Sequence, residues 1–177
     1  RQSALDNIES VFARIDSQTI AAVADRLLEK ETIHVVGMQA SHPFVAYFQY
    51  VGGMVAPKIK PLGRRGGVIA DDLIDMGPHD AVICLAIQPC ARLTVQVAEQ
   101  AFERGVHVVC ITDSLASPLA PFGSDVLVTA CKSPLFFESY IGAVAILELL
   151  IGFITLRAGP EAIERIKRIE IDRRRFG

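Results

Sequence analysis

Two short polar segments carry the residues whose types and spacing could do chemistry. In the first, Gly37-Met38-Gln39-Ala40-Ser41-His42 follows an apolar run and leads into Pro43. A glycine, an amide, a hydroxyl and an imidazole this close together suit the oxygens of a small polar ligand. Ser41 falls where a loop should become a helix, and free amides at a helix start favour negative charge, such as a phosphate. In the second, Gln88-Pro89-Cys90-Ala91-Arg92-Leu93-Thr94 follows another apolar run. Gln88 and Thr94 supply hydrogen-bonding groups, and Arg92 can grip an anion through two parallel bonds. Cys90 is read as a pocket-wall residue rather than a nucleophile, because no partner for it is visible. Ser133 adds a hydroxyl near the start of the last long apolar stretch. The candidate ligand-binding set is thus Gly37, Gln39, Ser41, His42, Gln88, Cys90, Arg92, Thr94 and Ser133. Arg64 and Arg65 follow a weak strand; two solvated loop charges is the favoured reading of them.

Several chemistries are disfavoured. The first loop has Gln39 and His42 where a dinucleotide-binding glycine loop needs glycines. Some twenty residues on, Pro57-Lys58-Ile59-Lys60-Pro61 offers no acidic side chain for a ribose. No nucleotide-binding P-loop, zinc-protease helix or hydrolase serine elbow occurs. The histidines at 34, 42, 79 and 107 show no metal-ligand spacing, and His34 and His107 sit in strand-like runs as core residues. The four cysteines (84, 90, 110 and 131) form no close pair of the zinc or redox kind. No metal and no cofactor is expected. Glu138 is a single carboxylate without a visible acid-base partner, and is read as a charge at a helix N-terminus.

The elements that must position these residues follow from the apolar pattern. Leu5, Ile8, Val11, Phe12 and Ile15 mark one helix, and Ile20, Val23, Ala24, Leu27 and Leu28 a second, capped by Asp16 or Ser17. Strands are expected over 32–36, 58–60, 81–87, 106–111 and 125–129. Helices are expected over 43–52, ended by Gly52-Gly53, over 71–76, over 92–104, stopped by Gly105, and over 136–157. Gly159-Pro160 then separates a last helix over 161–172 from a solvated basic tail, Arg173-Arg174-Arg175. Alternating strands and helices imply a parallel sheet with right-handed crossovers, covered by helices on both faces. Loops after such strands form the usual ligand crevice.

Bulk composition bounds the function. With 177 residues, 51% hydrophobic and 21% charged, the chain can build one core. A net charge of −2 gives no global basic field for nucleic acid. The apolar stretch 140–156 is long enough to suggest a membrane span, but Glu148 near its middle favours a buried or interface helix. Unpaired cysteines and no visible leader point to the cytoplasm. The chain begins at Arg1 rather than Met. An upstream region is therefore expected, joined through residues 1–30 as a helical arm.

Three stretches, in this order and at this spacing, resemble the SIS (sugar isomerase) domain, and most of all the C-terminal effector domain of RpiR-like bacterial transcriptional regulators. They are Ile-His-Val-Val-Gly-Met-Gln-Ala-Ser at 33–41, the long stretch 86–120 containing Ile111-Thr112-Asp113-Ser114 and Ser117-Pro118-Leu119-Ala120, and Ser133-Pro134-Leu135-Phe136-Phe137-Glu138-Ser139-Tyr140 entering the last long helix. The resemblance implies a three-layer αβα sandwich with a five-stranded parallel sheet over a single domain, 1–177. It implies a phosphosugar or related small acid at the strand ends, a homodimer or higher homo-oligomer, and DNA contacted only through an upstream domain absent from this chain. The family's serine-rich turn is altered here. Its serine and threonine positions read Ala86, Gln88 and Ala91, with Pro89 replacing glycine and only Thr94 keeping a hydroxyl. Proline and arginine at this turn, as in Pro89 and Arg92, are common in RpiR-like members. Two alternatives stand beside the regulator reading: a phosphosugar aldose-ketose isomerase, which would need paired acid and base residues, and a degenerate SIS module that serves dimerisation alone.

Overall fold

A computed structural model describes residues 1–63 and 67–176. Its helices are α1 (Gln2–Arg14), α2 (Ser17–Leu28), α3 (His42–Val55), α4 (Ile69–Ile74), α5 (Arg92–Glu103) and α6 (Ile141–Phe176). Its strands are β1 (Thr32–Val36), β2 (Ile59–Pro61), β3 (Asp80–Leu85), β4 (His107–Thr112) and β5 (Asp125–Val128). All are parallel, in the order β2-β1-β3-β4-β5. The order reverses direction between β1 and β3, so the loops after these two strands flank the switch point where α/β sheets bind ligands.

Side-chain alternation along the strands divides the core into two layers. Ile33, Val35, Ala81, Ile83, Leu85, Val109, Ile111 and Leu127 face one side, where they meet α1, α2, α3 and α6. Val36, Val82, Cys84, Val108 and Cys110 face the other, where they meet α4 and α5 through Leu73, Val97, Ala98 and Ala101. The three-layer αβα sandwich is therefore as expected. Residues 1–30 are packed into the first layer: Val11, Ile20, Val23, Ala24 and Leu27 are buried, and α1 and α2 both lie on α6. Asn7 ties α1 to the far end of the chain, donating to the Lys132 carbonyl and accepting from the Lys132 amide.

The first half of α6 is long and apolar enough by composition to cross a membrane. Here Ile146, Leu147, Leu150 and Ile154 are fully buried beneath the sheet. Each such side chain is worth about 1.5–3 kcal/mol when taken out of water. α6 breaks at Gly159, whose φ of 70° is open to glycine, and the remainder returns over α3 as the separate helix that the sequence suggests.

Beyond shifts of one or two residues at several element ends, two boundaries and one contact differ from expectation. Gly52-Gly53 does not end α3, which continues to Val55. A Cβ at Gly52 would stand 2.9 Å from Ile59 Cδ1, so this glycine lets α3 lie close on β2 instead of stopping the helix. The last long helix begins at Ile141, not at 136, and 134–139 stays irregular. Arg173 is not simply a solvated tail residue: it donates to the Tyr50 hydroxyl at 2.6 Å and stacks over that ring.

A cavity built from three strand-end segments

The first segment leaves β1 at Gly37. A Cβ there would lie 2.9 Å from Ser41 Cβ and 3.1 Å from the Leu85 carbonyl oxygen, so only glycine lets the two strand ends approach this closely. Residues Gln39–Ser41 form a single 3-10 turn leading into α3. Gln39 holds a φ of 54°, left-handed and uncommon for a side chain of this kind. Ser41 is buried, and its hydroxyl lies 3.1 Å from the Tyr140 hydroxyl. Tyr140 in turn stacks on Phe44 of α3, with ring centroids 4.8 Å apart and planes within 14°.

The second segment leaves β3. The Gln88 amide donates to Asp113 Oδ1 at 3.2 Å, and the Gln88–Pro89 peptide is cis. Thr94 is fully buried, and its hydroxyl accepts from the Met38 amide at 3.3 Å. That bond laces the second segment to the first.

The third segment, 131–140, connects β5 to α6. Its Ser133 hydroxyl accepts from the Leu135 amide at 3.1 Å, and the Ser139 amide donates to the Cys131 carbonyl at 2.9 Å. Phe136 and Phe137 meet edge to face at 5.1 Å. Burial, with the Glu138 carboxylate as hydrogen-bond partner, pushes the Cys131 thiol up to about 12, which keeps it protonated and inert.

Together the three segments border an open-sided hollow of about 580 Å³, with Phe136 and Phe137 largely exposed at its rim. Its polar side chains are Gln39, Ser41, Gln88, Glu138 and Tyr140; Met38, Phe44, Ile87, Pro89, Phe136 and Phe137 supply most of the rest. A mainly apolar hollow with a few convergent polar groups is the usual form of a small-molecule site.

The candidate residues divide accordingly. Gln39, Ser41 and Gln88 line this cavity. Gly37 and His42 instead border a smaller hollow of about 230 Å³ beside the end of β1. Thr94 is fully buried outside the lining, its oxygen accepting from the Met38 amide. Cys90 lies outside the lining, with its sulfur 3.4 Å from the Ser117 hydroxyl. Arg92 is exposed at the start of α5, and neither it nor Ser133 lines the cavity. Arg64 and Arg65 lie outside the described residues. Glu138 is not a charge at a helix start: it sits in the irregular segment, in the cavity wall. The sequence reading missed the aromatic wall, although the Phe136-Phe137 pair and Tyr140 stood in plain view. Placing them inside a helix hid their shared role. Among the described residues, no group of three or more histidine, cysteine or acidic side chains could hold a metal ion.

Comparison with known proteins now decides the family, because the SIS domain profile matches residues 26–151, more than half of the chain. The chain belongs to the SIS domain family. Among solved structures, the SIS fold is shared with the sugar isomerase domain of an RpiR transcription factor from Sphaerobacter thermophilus, at TM-score 0.88 and 24% identity over 96% of this chain and 94% of that one. The Vibrio vulnificus NanR protein, in complex with ManNAc-6P, matches at TM-score 0.80 and 22% identity, over 96% of this chain and 65% of that one. A Methanococcus jannaschii protein, described as having an inferred 3-hexulose-6-phosphate isomerase function, matches at TM-score 0.76 and 17% identity, over 94% of this chain and 95% of that one. The SIS domain here thus spans less than two thirds of the NanR chain. No curated protein matches the sequence.

Proposed function

We propose that this SIS domain is the effector-sensing part of a cytoplasmic transcriptional regulator of the RpiR kind. A small sugar-like molecule enters the cavity, and the domain passes its presence to a homodimer that positions DNA-binding domains supplied by another part of the protein. The observation that carries this reading is the seating of Tyr140. It touches the cavity, bonds Ser41 and stacks on Phe44, and it directly precedes α6. α6 runs beneath the sheet and presents Leu156 beside the exposed Phe12 of α1. A ligand that reorders the Ser41–Tyr140 contact therefore acts on the helix that borders an apolar outer face, and differential binding of this kind shifts a two-state equilibrium.

The family also contains isomerases, and an aldose-ketose isomerase would need a base to move a proton between two adjacent carbons and an acid to serve their oxygens. Of the described lining residues only Glu138 is a carboxylate, and no histidine or lysine joins it, which favours sensing over turnover. A thermal-shift screen over sugars, amino sugars, sugar acids and their phosphates tests the reading. A hit that raises Tm and is recovered unchanged supports it. Conversion of the hit to its isomer supports the enzyme instead, and no hit from any class leaves a dimerisation module.

A further inference from the structure

We propose that the groove between α3 and the end of α6 is a second ligand site, which takes an organic oxyanion, a carboxylate or phosphate on a small apolar body, against Arg165 and Arg173. The groove shares no lining residue with the strand-end hollow, so it is independent of the effector site.

Arg165, Ile169 and Arg173 recur every fourth residue, on one face of the helix that follows the break at Gly159. That face lies opposite Gln49, Tyr50 and Met54 of α3, and the two helices border an open groove of about 510 Å³ beside the edge strand β2. Among the described residues its charged lining is all cationic: Arg165, Arg173 and Lys60. Lys60 counts for little. Strand alternation turns it away from the buried Ile59, toward the face where Asp72 and Asp75 lie.

The two arginines have donors to spare. Arg165 is half-buried, and its Nε is fully buried with no hydrogen-bond partner among the described residues. None of the ion pairs among those residues includes it. A buried donor in this state costs free energy that a bound acceptor relieves. Arg173 is exposed and donates to the Tyr50 hydroxyl oxygen. The rest of its guanidinium fork and the hydroxyl's own hydrogen remain to donate, and Gln49 adds a side-chain amide. A surface of donors without an acid suits an oxyanion, and carboxylate and phosphate are the groups an arginine fork matches best. Met54 and Ile169 supply apolar surface beside the cations, so an anion with an apolar body gains more here than a bare ion. Tyr50 and Arg173 are open to water, so the binding is weakened by salt.

The test is calorimetric titration of this chain, at low ionic strength, with phenyl phosphate, phenylacetate and the neutral benzyl alcohol. At least one anion should bind saturably and the alcohol should not; whichever anion binds tighter names the head group. Arg165→Met should weaken that binding about tenfold or more. It should not lower Tm without the anion, because it removes an unpartnered buried donor. Tyr50→Phe keeps the ring beneath Arg173 and should weaken binding about threefold. Lys167→Gln removes a positive charge from the same helix where it pairs with Glu164, outside the groove, and should leave binding unchanged. Ala40→Trp, which fills the strand-end hollow from an exposed position, should leave it unchanged as well. Equal binding of the alcohol, an equal loss in Lys167→Gln or a loss in Ala40→Trp overturns the inference in favour of an apolar contact, a diffuse charge effect or the strand-end hollow, respectively. Parent-like binding in both Arg165→Met and Tyr50→Phe overturns it, as does a lower Tm for Arg165→Met without the anion. Silence from both anions overturns it and leaves the effector reading, which rests on other residues, intact.

Discussion

The Ser41 and Tyr140 hydroxyls meet at 3.1 Å, joining the turn after β1 to the residue that opens α6, 99 positions later in the chain. Ser41 is buried and Tyr140 half-buried, so the contact is largely sheltered from bulk water. The pair is the polar link between the cavity and the helix beneath the sheet. Whether its proton is donated by Ser41 or by Tyr140, only one of the two oxygens is left with a hydrogen to offer a ligand.

Removing either partner should cost the other its bond. Ser41→Ala and Tyr140→Phe are each expected to lower stability by about 1 kcal/mol. The double variant should cost less than the sum of the two, because the second change has no bond left to break. Urea titrations of the four proteins check this. Strict additivity would show that the hydroxyls are not energetically coupled.

Gly37 should tolerate no side chain. Gly37→Ala drives a Cβ toward Ser41, Val45 and the Leu85 carbonyl oxygen, and a backbone carbonyl cannot swing aside. A loss of about 1–3 kcal/mol is expected from this overpacking. Because Ser41 also lines the candidate cavity, any effector response should weaken with it. A urea midpoint unchanged from the parent chain would contradict the close approach of the two strand ends.

At the opposite end of the sheet, Asp125 takes Arg26 through both oxygens, at 2.6 and 3.1 Å, and His107 at 2.9 Å. Burial alone would raise its pKa, but the hydrogen bonds from His107 and Arg26 and their charge outweigh burial and hold it below the usual carboxylate value. A depressed carboxylate contributes stability that is present above its unfolded pKa and is lost as pH falls through the folded one. Stability should therefore fall as pH drops below about 4, and Asp125→Asn should flatten that part of the profile. Urea midpoints across the acid range measure it. An identical acid profile in the variant would remove Asp125 from the account.

The outer face of α1 and α6 should hold two copies together. Phe12 is 58% and Leu156 74% exposed, beside the half-buried Phe153 and Leu149. Apolar side chains clustered in this way mark an interaction surface more often than chance exposure does. Light scattering should give a dimer for the parent chain and a monomer for Leu156→Glu, with far-UV dichroism unchanged. A monomeric parent would contradict the homodimer.

Most of the scaffold could be read directly from the sequence. The strand runs are continuous and apolar because both sheet faces are covered, and Gly105 and Gly159 each adopt the positive φ that their positions as helix stops imply. Gly52 misled, because a glycine chosen for close packing looks the same in sequence as one chosen to end a helix. The site was half legible. Ser41, Gln39 and Gln88 line the cavity as their loop positions suggested. Arg92 and Thr94 do not, since one is exposed and the other is fully buried, accepting from the Met38 amide. The aromatic wall escaped notice because the sequence reading places Phe136, Phe137 and Tyr140 in the last long helix, whereas 134–139 is irregular and is held by the Ser133–Leu135 and Ser139–Cys131 hydrogen bonds.

The central claim is that the hollow between the three strand-end segments is an effector site. Calorimetric titration of the strongest thermal-shift hit into the parent chain and into Ala40→Trp tests it most directly. The account predicts saturable binding near one ligand per chain in the parent and none in the filled variant. Equal binding to both, or none to either, would contradict it.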